Sequence, residues 1–294
     1  MELRQLRYLC AVVDHGTFTA AAQQCAIAQP SLSQQIQSLE EELGQPLLVR
    51  HPRKVTLTQA GEMVVKRARL ILQETGQLQA DMERRTGLLE GNVEVGVIPT
   101  MAPYVMPQRV KAFLKLHPGV HIQIRERRTS RVIDDLVAGN LDFGIISDIT
   151  TSERQRYSLW VKELLRERLQ VAMPEGHRLA KTKGPVEMDQ LPKEEIIVLG
   201  DGHCLGDQTL SVCRIRRSPD RLECEQIETL FAMVAAGLGL AIVPEMASQR
   251  HLGSGVLVKP FQDPEPTRAI NLIKRRSATL SPAAEALLSF FERS

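Results

Sequence analysis

Hydrophobic periodicity changes once along this 294-residue chain, at Gly91, and no single uniform fold satisfies both parts. Up to that glycine, apolar residues return every three or four positions, the repeat of a buried helix face; beyond it, short β-rich runs alternate with helix-length stretches. The runs at 93–98, 120–124 and 141–146 are separated by helical patterns at 105–116 and 131–138. A second set follows at 169–172, 196–199, 222–227 and 240–243, interleaved with helical patterns at 205–212 and 230–236. Strand and helix in alternation predict an α/β architecture with a mostly parallel sheet, and two similar sets predict two Rossmann-like lobes with a cleft between them. Ligands in such sheets sit beyond the carboxyl ends of strands, where Pro99-Thr100, Ser147-Asp148 and Gly200-Asp201-Gly202-His203 fall. Ser281-Pro282 starts a last helix with Leu287 and Leu288 inward.

Ahead of Gly91, Leu3, Leu6, Leu9, Cys10 and Val13 predict the buried face of a first helix. His15-Gly16 breaks it, Thr17 offers an N-cap, and an Ala-rich second helix runs from Phe18 to Cys25. Pro30 suits the first turn of a third helix whose inner stripe is Leu32, Ile36, Leu39 and Leu43. Its other face carries Gln29, Ser31, Ser33, Gln34 and Gln37, uncharged groups long enough to reach base edges in a major groove. Two short strands at 46–49 and 55–57 flank a basic tip, Arg50-His51-Pro52-Arg53-Lys54, suited to phosphates. From Gln59 to Leu89 the pattern is one long helix with Ala60, Val64, Ala68, Ile71 and Leu78 along a face, ended by Glu90-Gly91-Asn92. Without a partner in its own chain, such a helix is expected to pair with its twin. The expected units are therefore 1–58, 59–90 and 91–294.

Net charge does not reveal the partner, because residues 1–90 balance ten Lys/Arg against ten Asp/Glu. No apolar run approaches the roughly 18 residues of a membrane span, and no export signal is present, so a cytoplasmic protein is expected. Five cysteines, an odd number, argue against a structural disulfide framework. Cys224 fits a half-buried strand position. Cys204 falls at the start of a predicted helix, where free N–H groups and the helix dipole favour thiolate. Cys213 follows nine residues later, roughly 900° around and about 13 Å along that helix, whereas a disulfide needs Cα atoms within about 7 Å. The residues alone leave two readings open: a pair of structural cysteines, or thiols that bond only when the helix breaks. His203, Cys204 and Cys213 lack zinc-ligand spacing, and no metal or cofactor is expected. The chain has no GxxxxGK[ST], GxSxG or HExxH, and Gly237-Leu238-Gly239, after a helix and before a strand, reads as a helix C-cap.

Five motifs in order, Leu6-Arg7-Tyr8-Leu9, Gly16-Thr17-Phe18-Thr19-Ala20-Ala21-Ala22, Gln29-Pro30-Ser31-Leu32-Ser33-Gln34-Gln35-Ile36, Leu39-Glu40-Glu41-Glu42-Leu43-Gly44 and Leu57-Thr58-Gln59-Ala60-Gly61, closely resemble the head of the LysR-type transcriptional regulators. The resemblance implies an α-helical winged helix-turn-helix, a dimerising linker helix and a two-lobed, periplasmic-binding-protein-like sensor. It places Thr17, Gln29, Pro30, Ser31, Ser33, Gln34, Gln37, Arg50 and Arg53 at double-stranded DNA with palindromic sites. It also implies a tetramer built as a dimer of dimers, with RNA polymerase as a partner.

Within that family, Ile98-Pro99-Thr100, Pro103-Tyr104, Asp201-Gly202-His203-Cys204, Asp207-Gln208, Cys213, Glu228-Thr229-Leu230 and Met233-Val234-Ala235-Ala236-Gly237 look like the peroxide-sensing branch, and the thiol spacing is that branch's. The resemblance makes Cys204 the thiol that meets hydrogen peroxide and Cys213 its disulfide partner. It lines the pocket with Thr100, Thr129, Gly202, His203 and Asp207, and puts Arg268 where a guanidinium would favour the thiolate. One departure stands out: that branch has arginine where this chain has Gly206. A missing cation there would slow the thiol, so Gly206→Arg is expected to speed its oxidation. The alternatives are a regulator whose cleft takes a small organic effector, and a thiol peroxidase carrying a DNA-binding head.

Overall fold

The computed structural model describes residues 1–51, 54–83, 89–251, 253 and 255–293, with the side chains at 73, 76, 77 and 79–83 left aside. It divides into two compact units, essentially 1–88 and 89–294.

In the first unit, α1 (Leu3–His15), α2 (Phe18–Gln24) and α3 (Gln29–Leu43) close around Leu6, Leu9, Val12, Leu32, Ile36 and Leu39. The Thr17 hydroxyl accepts from the Ala20 N–H at 3.2 Å, so it does cap α2. Two expected core residues face outward: Leu3 and Leu43 are exposed, each lying at a helix end beyond the reach of the other helices. Val12 is fully buried on the inner face of α1, and the expected Val13 is partly buried against the same core. Strands β1 (Leu48–Arg50) and β2 (Val55–Leu57) pair antiparallel, and Glu40 Oε1 takes the Leu47 and Leu48 N–H groups at 2.7 and 3.0 Å, fixing where the wing leaves the helices.

Helix α4 (Gln59–Glu83) does have a partner in its own chain, contrary to expectation: Val65 and Ala68 are buried in the same core as α1. Small and branched side chains there let the two helices approach closely. Its outer residues Met63, Ile71 and Leu78 are exposed. Residues 84–88 of the expected helix lie outside the described residues, and Glu90-Gly91-Asn92 open strand β3 instead of ending a helix.

The second unit holds one continuous sheet in the order β4-β3-β5-β11-β6-β9-β7-β8, with β10 (Val256–Pro260) also on β6. Its first lobe contains β3 (Glu90–Val97) parallel to β4 (Gly119–Glu126) and β5 (Phe143–Ser147), with α5 (Ala102–Leu116) and α6 (Thr129–Ala138) as crossovers. The other lobe contains β7 (Ile196–Leu199) parallel to β8 (Glu223–Cys224) and β9 (Leu240–Pro244), with α8 (Cys204–Cys213) and α9 (Ile227–Ala235) between them. The sheet is less parallel than its pattern suggests. Strand β6 (Leu159–Pro174) carries the chain out of the first lobe, and β11 (Thr267–Arg275) brings it back, so they run antiparallel to each other and to their neighbours β5 and β9. Gly237 takes φ +78 just after α9, with the Leu238 N–H bonded to the Met233 carbonyl, a left-handed helix stop as expected. Two short helices, α7 (Thr151–Arg156) and α10 (Glu245–His251), precede β6 and follow β9, and helix α11 (Pro282–Glu292) buries Leu287 and Leu288. Among the described residues, no helix is long and apolar enough to cross a membrane.

Candidate redox site and nucleic-acid interface

Strand β7 is buried along its whole length, and the chain turns at its end through Gly202 (φ +78) into α8. The first residue of α8 is Cys204, so its sulfur sits among the unbonded N–H groups of a helix start, with the Leu205 N–H directed at it. The Thr129 hydroxyl, at the start of α6 in the other lobe, faces the same sulfur; its buried Oγ1 meets no partner at hydrogen-bond geometry. A buried hydroxyl without a partner is uncommon and marks a place where polar matter is accommodated.

Arg268, on β11, is fully buried. Its Nη1 donates to Thr100 Oγ1 at 2.9 Å, its Nη2 to the Thr100 carbonyl at 3.2 Å, and its Nε to Glu167 Oε2 at 2.8 Å. Glu167, on β6, also accepts the Met246 N–H at 2.9 Å. A buried guanidinium requires such a carboxylate, because an unpaired charge in this interior would cost several kcal/mol. The pairing also divides Arg268's field between Glu167 and the thiol. Burial accordingly wins at Cys204: it pushes the thiol above its ordinary value, against the downward pull of Arg268, the Thr129 hydroxyl and the Leu205 N–H. The helix start and the buried cation therefore act against burial at this sulfur. Asp148, at the end of β5, opposes thiolate formation in addition.

Around this centre, side chains from the two lobes interlock. Gln208 Nε2 donates to Ser147 Oγ at 2.8 Å and to Asp148, whose Oδ1 accepts the Ala269 N–H at 3.0 Å. His203 is buried and its Nε2 lies 3.2 Å from Glu225 Oε2, which also holds Arg128. His203 and then Arg128 keep the Glu225 carboxyl below its usual range. Of the sequence candidates, Cys204, Thr129, Thr100 and Arg268 thus converge, with Gly202 and His203 on the loop leading in. Asp207 points elsewhere, to Arg217 at 3.3 Å.

Cys213 ends α8 and lies in the hydrophobic core of its lobe, where burial pushes its thiol up to about 11 against Arg221 and Lys193. The ten residues of α8 keep the two cysteines at opposite ends of one helix, roughly 13 Å apart by the helical rise. All five cysteines are free.

At Gly206 the structure shows a steric constraint that the sequence did not reveal. It is buried, and a Cβ there would stand 2.3 Å from the Leu199 carbonyl oxygen, so the first turn of α8 rests directly on the end of β7 with no room for an arginine. Sequence reasoning missed Glu167, Arg128, Glu225 and Arg217. They lie on strands and loops outside α8, and each looks like an ordinary surface charge in the sequence.

In the head, Gln29, Pro30, Ser31, Gln34 and Gln37 are exposed on α3, with Ser33 half-buried beside them. Arg50 donates to Ser33 Oγ at 3.1 Å and stacks 4.7 Å from the Phe18 ring centroid, which joins the wing to this face. Thr17 is engaged in its cap, and Arg53 lies outside the described residues.

Residues 3–62 match the bacterial regulatory helix-turn-helix domain of the lysR family, and residues 86–294 match the LysR substrate binding domain. The chain belongs to the LysR family. Among its relatives, the hydrogen peroxide-inducible genes activator of Dickeya chrysanthemi is 34% identical over 290 residues, 98% of this chain and 93% of that one. Two solved structures are similar over 99% of the chain. One is a full-length OxyR cysteine-to-aspartate variant from Pseudomonas aeruginosa, at 30% identity with a TM-score of 0.79 and 98% of it covered. The other is a cysteine-to-serine OxyR variant of Corynebacterium glutamicum bound to H2O2, at 28% identity with a TM-score of 0.64 and 92% covered.

Proposed function

We propose that this protein is a peroxide-sensing transcription regulator of the OxyR kind, switched when hydrogen peroxide oxidises Cys204 and Cys213 then joins it in a disulfide. The observation that carries this reading is the convergence on Cys204 of a helix start, the buried Arg268 and the Thr129 hydroxyl. In the first step the Cys204 thiolate attacks one peroxide oxygen, the O–O bond breaks, and sulfenic acid and water result once the leaving hydroxide is protonated. In the second, Cys213 gives up its proton and attacks that sulfur, the S–OH bond breaks, and a second water leaves. Two electrons pass from the thiols to one peroxide.

With the cysteines at the two ends of α8, bonding requires at least part of 205–212 to unwind, and this change is the signal. The exposed Met63, Ile71 and Leu78 of α4 support self-association through that helix, with the sensor units adding a dimer of dimers. Paired heads on palindromic DNA, and contact with RNA polymerase, complete the reading. Equimolar peroxide followed by mass-spectrometric thiol mapping tests it: a Cys204–Cys213 disulfide is expected, with the DNA response lost in Cys204→Ser. A response that survives replacement of both thiols by serine would assign an organic effector instead.

A further inference from the structure

Arg217 occupies a position that neither its sequence context nor the redox chemistry above explains. It lies in the loop after α8, half-buried, and reaches back across the helix start. Nη1 donates to the Leu199 carbonyl at 3.3 Å and to Glu223 Oε1 at 3.1 Å. Nη2 donates to the Gly200 carbonyl at 3.5 Å and to Asp207 Oδ1 at 3.3 Å, and Nε stands 3.7 Å from Asp201 Oδ1. One side chain therefore ties the end of β7, the turn into α8, the first turn of α8 and strand β8 together. It packs closely over Gly206, where an added Cβ would lie 3.1 Å from Nη2.

Topology gives these contacts their meaning. Asp207 precedes Cys213 and Arg217 follows it, so the Asp207–Arg217 pair closes a loop of chain that contains Cys213. The same segment has to come apart if Cys213 is to reach Cys204. We infer that Arg217 is a positioning residue for disulfide formation, a latch that holds α8 and the Cys213 segment in the reduced arrangement and must release between peroxide attack and bond closure. This rests on the reading proposed above, that the two thiols join. The groups acting on the Cys204 thiol are Arg268, Thr129, the Leu205 N–H and Asp148, so the latch bears on the second step and leaves the first alone.

Full-length wild-type and Arg217→Gln proteins, reduced, are mixed with equimolar hydrogen peroxide and quenched by alkylation for mass spectrometry at intervals. The midpoint potential of the thiol pair is measured in dithiothreitol redox buffers. The wild type is read first: if it forms no Cys204–Cys213 disulfide, the proposed function fails and the latch with it. If it does, Arg217→Gln is expected to lose its Cys204 thiol at the wild-type rate but to close the disulfide about tenfold faster. Its midpoint should be about 30 mV more negative, the equivalent of that factor for a two-electron couple. Loss of a side chain that merely stabilised both redox states alike would lower the melting temperature without moving the potential. Asp207→Asn should shift closure and potential in the same direction, and the double variant should fall short of the sum, because the two residues share one interaction. Unchanged closure and potential in Arg217→Gln, or full additivity in the double variant, overturns the inference. Should Arg217→Gln fail to fold, Asp207→Asn alone carries the same two readouts, with no shift as the refuting result.

Discussion

The Cys204 thiol illustrates how opposing local effects set one residue's chemistry. A helix start and a buried cation pull it toward thiolate, burial pushes it the other way more strongly, and Glu167 takes much of the cation's attention. Because the thiolate is the reactive form and the thiol's pKa lies above its ordinary value, the rate of Cys204 oxidation should keep climbing as pH rises past the range where exposed thiols level off. Arg268→Gln removes a lowering influence, so the whole profile should move to still higher pH and the rate at neutral pH should fall. The same change leaves Glu167 buried without its partner, at a cost of about 3–5 kcal/mol. Arg268→Gln/Glu167→Gln should recover much of that stability in urea melts without recovering the rate. Recovery of both would show that Arg268 acts on the thiol only through the fold.

At the scale of the element, α8 is built to be given up. It contains Gly206, worth about 1 kcal/mol against helix relative to Ala, and the hydroxyl of Thr209 bonds back to the Leu205 carbonyl at 2.8 Å. It ends at Arg214, which takes a left-handed φ of 52 without being glycine. Besides the Arg217 contacts, packing holds this helix: Leu205 and Cys213 are buried in the core of the lobe. Gly206→Arg drives a side chain into the Leu199 carbonyl and displaces Arg217, so this substitution is expected to destabilise the reduced sensor, by roughly 1–3 kcal/mol on the scale of overpacked sites. Thermal melts of the reduced protein check it; a variant as stable as wild type that reacts faster with peroxide would support the expectation drawn from the sequence.

For the whole molecule, the unit that reads DNA and the unit that senses are separately folded, each around its own core. If the exposed polar face of α3 reads bases, Gln29→Ala should relax base preference, each lost contact costing about 1–3 kcal/mol, and footprints should be palindromic. Equal loss on cognate and random duplexes would contradict this placement of Gln29. The helices of the head, its wing, both lobes and the strand-to-helix turn at Cys204 were legible in the sequence, because periodicity, Thr17, Pro30 and Gly237 act over one or two turns of chain. Motif resemblance pointed to Thr100, Thr129 and Arg268 for the surroundings of that thiol and proposed Cys213 as its disulfide partner. Hidden from the sequence were the antiparallel passage of β6 and β11 between lobes, Glu167 as the counter-charge of Arg268, and Arg217 beside Gly206. Nothing local distinguishes a glycine that weakens a helix from one that lets a strand end and a guanidinium pack against it. Periodicity, caps and turns are written within a few residues, so the chain by itself determined its elements and the place of its thiol. Which charges meet is settled only when residues a hundred positions apart, Glu167 and Arg268, are buried at 2.8 Å, where desolvation makes each require the other; that was decided by the tertiary structure.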